Sequence, residues 1–401
     1  MTALALATET DCPASTDTPD AAFGATRHLI SERVPFGDID RGTWDRLAAS
    51  SAWSTPFSAW AFHRAWWDAY GDNAHDETTV FTDPALPPGA NAIAIFPLMH
   101  RHEVEVGDAN LHTALRHGHD QDLTPVPPTA TALFFGASYH ADYATILAKA
   151  ADLPSVAAAF VADLQQRAVT AAPDWDAVDL RRLRCSDPAV DALAAAFRRT
   201  EMESGWTLNL EREDVCPVAA LPADGTLDDY FATLGKKERH EIRRKVRRAE
   251  AAGDVALVES TDPLADLDAF IDLHQARWGD DGLFPATAGG AQSRVLFRRL
   301  FELFGPDGAF RLSFLTVGDR RIAAGITFET SDRVFYYNAG VDPAARDLSP
   351  DVVLVERYIR RAIERGQTAI DFLRGDEPYK YEWGSINEPV QRLLVRREVG
   401  R

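Results

Sequence analysis

Three strand-like segments in a row, followed by a helix and another strand, constrain the fold of this chain more than any other feature. Short Gly-Asp and Ser-Asp turns separate the first three, as in an antiparallel meander. The stretch PDVVLVERYIRRAIERG then has the apolar spacing of an amphipathic helix. Two further strands are predicted at TAIDFLRG and VQRLLVRREV. A helix that connects strands in this way predicts a mixed α/β sheet. The three meander segments are AFRLSFLTV, RIAAGITFET and RVFYYNAGV.

The length of 401 residues predicts two domains, because single hydrophobic cores stop growing at about 250 to 300 residues. A first run of α/β signals extends over 28–205, and a second over 226–401. We expect 206–225 to connect them. Residues 1–27 are rich in Thr, Ala, Asp and Pro and lack the pattern of a signal peptide, so we expect a disordered tail.

The charge of the chain limits its partners. Its 61 acidic and 42 basic residues give a formal charge of −19, which disfavours nucleic acid and anionic membranes over most of the surface. No apolar run approaches the roughly 18 to 20 residues that span a bilayer, so we expect no membrane insertion. The three cysteines have no paired spacing, which favours a reducing, cytoplasmic location over a disulfide framework.

One segment is strongly basic within this acidic chain. Residues 236–248 contain eight Lys or Arg and two Glu. Arg239, Arg243 and Arg247 recur every four residues, so they share one helical stripe that could bind a phosphate-bearing acceptor, a donor diphosphate or the acceptor stem of tRNA. A solvated helix face is an equal alternative, since exposed Arg stems often cover apolar surface.

The C-terminal half resembles a known family. YYNAGVDPAARDLSPDVVLVERYIRRAIERG followed by AIDFLRGDEPYKYEWG resembles the acyltransferase domain of the CelD/BcsL group, a branch of the GNAT superfold. The order of a helix-closing Gly, a strand with Asp, and an aromatic-Lys pair before Trp-Gly is also similar to FemAB-type aminoacyl transferases. The resemblance implies tandem GNAT-like domains of the α/β (α+β) class, each a mixed, mostly antiparallel sheet flanked by helices.

The resemblance also implies where an acyl donor binds. In GNAT folds two parallel strands splay apart, and the pantetheine arm of acyl-CoA inserts beside the free edge of one of them. By resemblance, Tyr337, Asn338 and Ala339 form that edge.

The loop and helix start after this edge would then hold the diphosphate of acyl-CoA. Pro350 suits the first helical turn, Ser349 can cap it, and Arg346 can contact phosphate. A capped helix start without a ligand is the alternative. The relatives usually have Gly after Ser-Pro, whereas this chain has Asp351.

Acyl transfer to an amine or hydroxyl needs a base, an acid and stabilisation of negative charge. The segment after the last GNAT-like strand concentrates such groups. We expect Asp371 to orient or deprotonate the acceptor, Tyr379 to donate a proton, and Arg374 with Lys380 to neutralise negative charge. In the alternative interpretation Asp371 and Arg374 form a structural ion pair and the aromatic residues pack the sheet edge.

A polar loop contains His112, His117, His119 and Asp120. Their spacing matches no standard metal site, so we expect no metal.

Three functions remain open at this point. The first is transfer of an acyl group from acyl-CoA to a small molecule or to a precursor of an envelope polysaccharide. The second is a FemAB-like transfer from aminoacyl-tRNA, which the carboxylate of Asp351 near a diphosphate loop would favour. The third is a non-catalytic binding protein, because fold alone never establishes chemistry.

Overall fold

The computed structural model of the protein describes residues 27–101, 123–127, 130–170, 174–305 and 308–397. The predicted tail, except residue 27, and the histidine-rich loop lie outside these residues. The chain divides into two compact units. The N-terminal unit contains the described residues up to Asp214 and those from Pro389 onward, and the C-terminal unit contains Val215–Glu388. Among the described residues, no helix is both long enough and apolar enough to cross a bilayer.

The N-terminal unit contains two sheets. One has the strand order β1-β3-β4-β7 and is antiparallel; the other contains β15-β8-β6-β5-β2, in which only β6 and β8 run parallel. The strands are β1 (Ile30–Arg33), β2 (Ala74–Asp76), β3 (Thr79–Thr82), β4 (Ala92–Phe96), β5 (Leu98–Arg101), β6 (Ala132–Phe135), β7 (Leu147–Ala148), β8 (Ala177–Arg184) and β15 (Ile386–Arg397). The helices are α1 (Arg41–Ser50), α2 (Trp60–Tyr70), α3 (Leu153–Ala168) and α4 (Pro188–Ser204).

Aromatic residues form much of the core of this unit. The rings of Trp44, Trp66 and Phe62 are fully buried. Trp44 lies on α1, whose start is capped by Asp40, which accepts a hydrogen bond from the Thr43 amide. On the antiparallel sheet, Phe96 of β4 contacts Phe160 of α3 with 4.7 Å between ring centroids. Such burial of large side chains is the main source of stability in a unit of this size.

A buried ion pair joins β15 to β8. The Arg392 guanidinium donates to both carboxylate oxygens of Asp179 at 2.7 Å, and it also contacts Glu211 at 3.0 Å. Both Arg392 and Asp179 are almost completely buried. Burial alone would raise the pKa of Asp179, but Arg181 and Arg392 outweigh it and hold the pKa below its usual range.

The C-terminal unit contains one mixed sheet of strand order β10-β11-β12-β13-β14-β9, in which only β13 and β14 are parallel. Its strands are β9 (Trp206–Ala220, from Val215 onward in this unit), β10 (Val255–Glu259), β11 (Phe310–Val317), β12 (Arg320–Glu329), β13 (Arg333–Val341) and β14 (Ala369–Asp371). The helices are α5 (Leu227–Thr233), α6 (Lys236–Ala252), α7 (Pro263–Trp278), α8 (Ala288–Phe304), α9 (Pro350–Glu364) and α10 (Pro378–Tyr381). The predicted meander, helix and strand are present in that order.

Two helices pack closely on this sheet. The Tyr358 hydroxyl of α9 donates to the carbonyl of Gly325 at 2.9 Å. On α7, the backbone nitrogen of His274 lies so close to Gly340 of β13 that a Cβ at position 340 would be 2.3 Å from it. Only glycine permits this approach of helix backbone to strand backbone.

Two expectations about chain organisation are corrected, and the start of the basic helix is defined. Residues 206–220, expected to be a linker, form β9, which pairs with β14 through Ala219 and Ala220. The last strand was expected to belong to the second domain, but from Pro389 onward it belongs to the N-terminal unit, where it pairs with β8. The basic helix does not continue from the segment before it, because Gly235 has an extended backbone (ψ 147°) and separates α5 from α6.

The buried ion pair generates the first prediction. Arg392→Ala leaves the carboxylate of Asp179 buried without its main partner, which typically costs about 3–5 kcal/mol. We expect the free energy of unfolding to fall by this amount in urea titrations followed by tryptophan fluorescence. The signal reports mainly on the N-terminal unit, which holds seven of the nine tryptophans.

The matched control is Arg41→Ala, because Arg41 pairs with Asp45 on the exposed surface, where such pairs contribute about 1 kcal/mol or less. The pH dependence has a defined sign. Since the pKa of Asp179 is lowered in the fold, its contribution is present above the usual aspartate range and declines as pH falls through the lowered value. Equal losses for both variants would contradict this interpretation.

Candidate functional site

The parallel strands β13 and β14 separate after only three residue pairs. Arg333, Val334 and Phe335 pair with 369–371. β14 then ends, whereas β13 continues for six residues to Val341. Among the described residues, no strand pairs with that part of β13 on the β14 side. The backbone of residues 336–341 therefore borders a gap in the sheet.

A β-bulge lies on β13 at the same place. In the pairing with β12, Ile326 is opposite Asn338 and Thr327 is opposite Tyr336, so Tyr337 is the extra residue. A bulge disrupts the regular ladder and leaves the extra residue unpaired. The predicted edge residues Tyr337, Asn338 and Ala339 are thus together at the gap, and all three are half-buried.

The loop after β13 leads directly into α9. A 3₁₀ turn over Pro343–Leu348 ends at Ser349, which has left-handed backbone angles (φ 51°, ψ 57°). Pro350 occupies the first helical turn, as predicted. Ser349 does not cap α9 through its side chain, contrary to expectation. Its hydroxyl instead accepts a hydrogen bond from Arg248 of α6 at 2.7 Å.

The arginines of α6 therefore contact different neighbouring residues. Arg239 donates weakly to the carbonyl of Phe231 at 3.4 Å, and Arg243 pairs with Asp228 at 2.6 Å. Arg247 forms no ion pair with any residue that the structure describes. Sequence reasoning singled out this stripe and missed Arg248, the arginine that reaches the loop before α9. Four-residue spacing identifies a helix face but not what lies opposite it.

Asp371 is completely buried at the end of β14. One carboxylate oxygen accepts from the Leu373 amide at 2.8 Å, and the other is 3.2 Å from the guanidinium of Arg333. This carboxylate forms an ion pair with Arg333 on the neighbouring strand β13. These contacts hold the turn that follows β14. Any role of Asp371 in orienting or deprotonating an acceptor would require the carboxylate to keep these contacts at the same time.

Lys380 is also buried, with 3% of its surface exposed. Its ammonium donates to the carbonyls of Leu373, Arg374 and Gly375 at 2.8–3.0 Å. It also lies 2.9 Å from the carboxylate of Glu377. An ammonium has three hydrogens to donate, and three carbonyls receive them here. Lys380 thus holds the turn in place, and this geometry favours a positioning role over contact with a reacting group.

Two tyrosines on different elements lie near Phe372, the residue that follows β14. The ring of Phe372 lies 6.1 Å from the ring of Tyr336 on β13 and 6.3 Å from that of Tyr379 on α10. Burial raises the pKa of Tyr336 above its usual range, and Asp351 at the start of α9 raises it further. Desolvation of the hydroxyl, Glu377 and Asp351 raise the pKa of Tyr379 in the same direction, although 39% of the surface of this residue is exposed. Both phenols therefore stay protonated at neutral pH. Tyr336 was missed because the predicted edge began one residue later.

These features meet in one stretch of the C-terminal unit, and comparison with known proteins identifies its type. Residues 236–381 match the family model of an acetyltransferase (GNAT) domain. The C-terminal unit has the GNAT fold. The predicted fold class, with mixed sheets flanked by helices, is confirmed. The chain matches no curated protein sequence.

Solved structures resemble the chain at low sequence identity. FemX has a TM-score of 0.56 and 11% identity, with 91% of this chain and 96% of FemX covered. A conserved protein of unknown function from Bacteroides thetaiotaomicron has a TM-score of 0.50 and 12% identity, with 92% and 100% covered. A tandem GNAT protein from the clavulanic acid biosynthesis pathway has a TM-score of 0.44 and 9% identity, with 93% and 100% covered. The first two similarities concern the fold.

Within the GNAT domain, the splayed strands, the bulge and the loop before α9 are contiguous. The GNAT match supports a transferase of acyl or aminoacyl groups in general. Arg374 and Asp376 lie in the turn that Lys380 holds, and Arg374 is half-buried. Within the described residues, no group of three or more His, Cys, Asp or Glu side chains is placed to hold a metal ion.

The contacts of Lys380 generate the second prediction. Lys380→Met leaves three carbonyls of the turn without their donor, at a cost of about 1–3 kcal/mol. We expect faster amide hydrogen exchange in a peptide covering 371–381, measured by mass spectrometry. Lys237→Met removes an exposed lysine from α6 and should leave that peptide unchanged. A folded Lys380→Met variant with unaltered exchange would refute the positioning role.

Proposed function

We propose that this protein transfers an acyl group from an acyl-CoA to an amine or hydroxyl of a small molecule or of an envelope-polysaccharide precursor. The observation that carries the proposal is the gap between β13 and β14, with the bulge at Tyr337 on its free edge. Backbone groups on such an edge can hydrogen-bond the amides of a pantetheine arm. The CelD/BcsL resemblance of the same segment favours this donor and acceptor class.

The loop before α9 is suited to the diphosphate of the donor. The N-terminus of α9 carries a partial positive charge, and backbone N–H groups there can bind an anion. Arg346 is exposed in the preceding turn, and Arg248 already contacts Ser349 at 2.7 Å. Two arginines and a helix start thus supply a local cationic site in an acidic chain. We assign Arg346, Ser349 and Pro350 to this site, together with Arg248.

The acceptor would lie near Tyr336, Tyr379 and Asp351, because the charge of Asp351 affects the pKa of both phenols. A protonated Tyr379 can give its proton to the leaving thiolate as the acyl group moves to the acceptor. The acceptor then loses a proton, which the exposed carboxylate of Asp351 would accept; its charge acts on both phenols. In this proposal Asp371 and Lys380 keep the turn in place, and the guanidinium of Arg374 neutralises developing negative charge.

An aminoacyl-tRNA donor is the second candidate, since the carboxylate of Asp351 adds negative charge at the start of α9. The fold similarity to FemX is compatible with either donor. A cytoplasmic location is proposed for both. The two donors differ in the number of phosphates that they present, which affects the salt dependence of binding.

The third prediction concerns the donor. Acetyl-CoA and longer acyl-CoA should raise the melting temperature of the full chain in a dose-dependent way, by about 5–10 °C at roughly 100 times the Kd. Arg248→Ala and Arg346→Ala should reduce this shift, because each removes a cation next to the diphosphate loop. Arg244→Ala is the matched control, since Arg244 pairs with Glu241 on the exposed face of α6.

The variant Asp351→Gly, which introduces the glycine usual in the relatives, distinguishes an acyl-CoA donor from an aminoacyl-tRNA donor. If acyl-CoA is the donor, Asp351→Gly should keep or increase the shift. If neither the wild type nor this variant responds to acyl-CoA, the acyl-CoA proposal is wrong. Binding of charged tRNA with a steep decline on added salt would then favour the aminoacyl-tRNA donor.

A further inference from the structure

A separate cleft lies in the C-terminal unit between α5, α6 and the second half of α9. Its volume is about 610 Å³, which is within the usual range for small-molecule sites. Its lining residues on α9 begin at Glu356. At about 1.5 Å per residue along a helix, Arg360 lies roughly 15 Å from Pro350, where the donor loop ends. The lining of this cleft includes no residue of β13, β14 or the loop before α9.

The floor of this cleft is apolar. Phe231, Val246 and Ile363 line it and are at least nine-tenths buried. They belong to the hydrophobic core that α5, α6 and α9 share with the sheet. A ligand with an apolar side chain could cover the remaining exposed part of this surface.

Most of the charged residues around the floor already have partners. Arg243 pairs with Asp228 at 2.6 Å, and Arg360 pairs with the buried carboxylate of Glu356 at 2.6 Å. The carboxylate of Glu250 contacts Arg357 at 2.8 Å.

Two lining charges of opposite sign have no such partner. Arg247 and Glu364 are exposed and form no ion pair with any residue in the described part of the chain. A positive and a negative group that line one cleft without neutralising each other are complementary to a ligand that carries both charges.

We propose that this cleft binds a small zwitterion with an apolar side chain, namely an α-amino acid or a dipeptide. The ligand carboxylate would contact Arg247, and its ammonium would contact Glu364. The side chain would pack on Phe231 and Val246. Four acidic residues line the cleft against three arginines, so a phosphate is disfavoured. This inference is independent of the donor assigned above.

Titration calorimetry on the full chain tests the proposal with L-leucine and L-leucyl-L-leucine as probes. Both zwitterions are compared with isopentylamine, which lacks the carboxylate, and with 4-methylpentanoate, which lacks the ammonium. Glycylglycine lacks the apolar side chains, and inorganic phosphate tests for a simple anion site. We expect at least one leucine probe to bind, and each of the four comparison compounds to bind about tenfold more weakly or not at all.

Arg247→Gln and Glu364→Gln should each weaken binding of that probe about tenfold or more. Arg244→Gln and Glu241→Gln change charges of α6 that do not line the cleft, and they should leave binding unchanged. All four residues are at the surface, so circular dichroism should show intact folding.

Three results would overturn the proposal. These are no binding of either leucine probe at millimolar concentration, equal binding by the Arg247 and Glu364 variants, or preferential binding of phosphate. A preference between leucine and its dipeptide would define the size of the ligand. The outcome does not depend on whether acyl-CoA binds, because calorimetry detects the zwitterion directly.

Discussion

The three residue pairs that join β13 to β14 determine how the C-terminal unit is arranged around its site. They are the only parallel pairing among the described strands of the C-terminal unit, and they end at Asp371. Because the pairing stops there, the rest of β13 has a free edge and the chain after β14 must be held by other contacts. Asp371 and Lys380 supply these contacts by binding amides and carbonyls of the following turn. The short pairing of β13 with β14 thus leaves part of β13 unpaired, and it also requires the turn after β14 to be held by side-chain contacts.

Local patterns in the sequence predicted the elements of this unit well. Alternating apolar residues and two-residue turns identified the meander, and helical spacing identified α9. The pairing of distant segments was not predictable in the same way. β9 contains charged residues such as Glu211 and Arg212 and was taken for a linker, since its partner strand β14 follows about 150 residues later in the chain.

The candidate site shows a similar limit. Residue types in the turn after β14 predicted acid–base chemistry there. However, the sequence does not reveal that the ammonium of Lys380 faces three carbonyls, or that Arg333 pairs with Asp371. Tyr336 could have been considered, because it precedes the predicted edge directly and a bulge allows neighbouring side chains to change faces. Its proximity to Phe372 is a tertiary contact that no local pattern encodes.

If the acyl donor binds at the free edge of β13 as proposed, the close approach of α7 to Gly340 has a consequence for substrate selection. Helix backbone and strand backbone are in direct contact there, with no side chain between them that could change rotamer. The free edge of β13 therefore has little capacity to retreat from a bulky ligand. Different acyl chains would have to be accommodated along the direction of the strand, where the gap is open, rather than by widening it. The length of an acyl group should accordingly be tolerated more readily than branching close to its carbonyl.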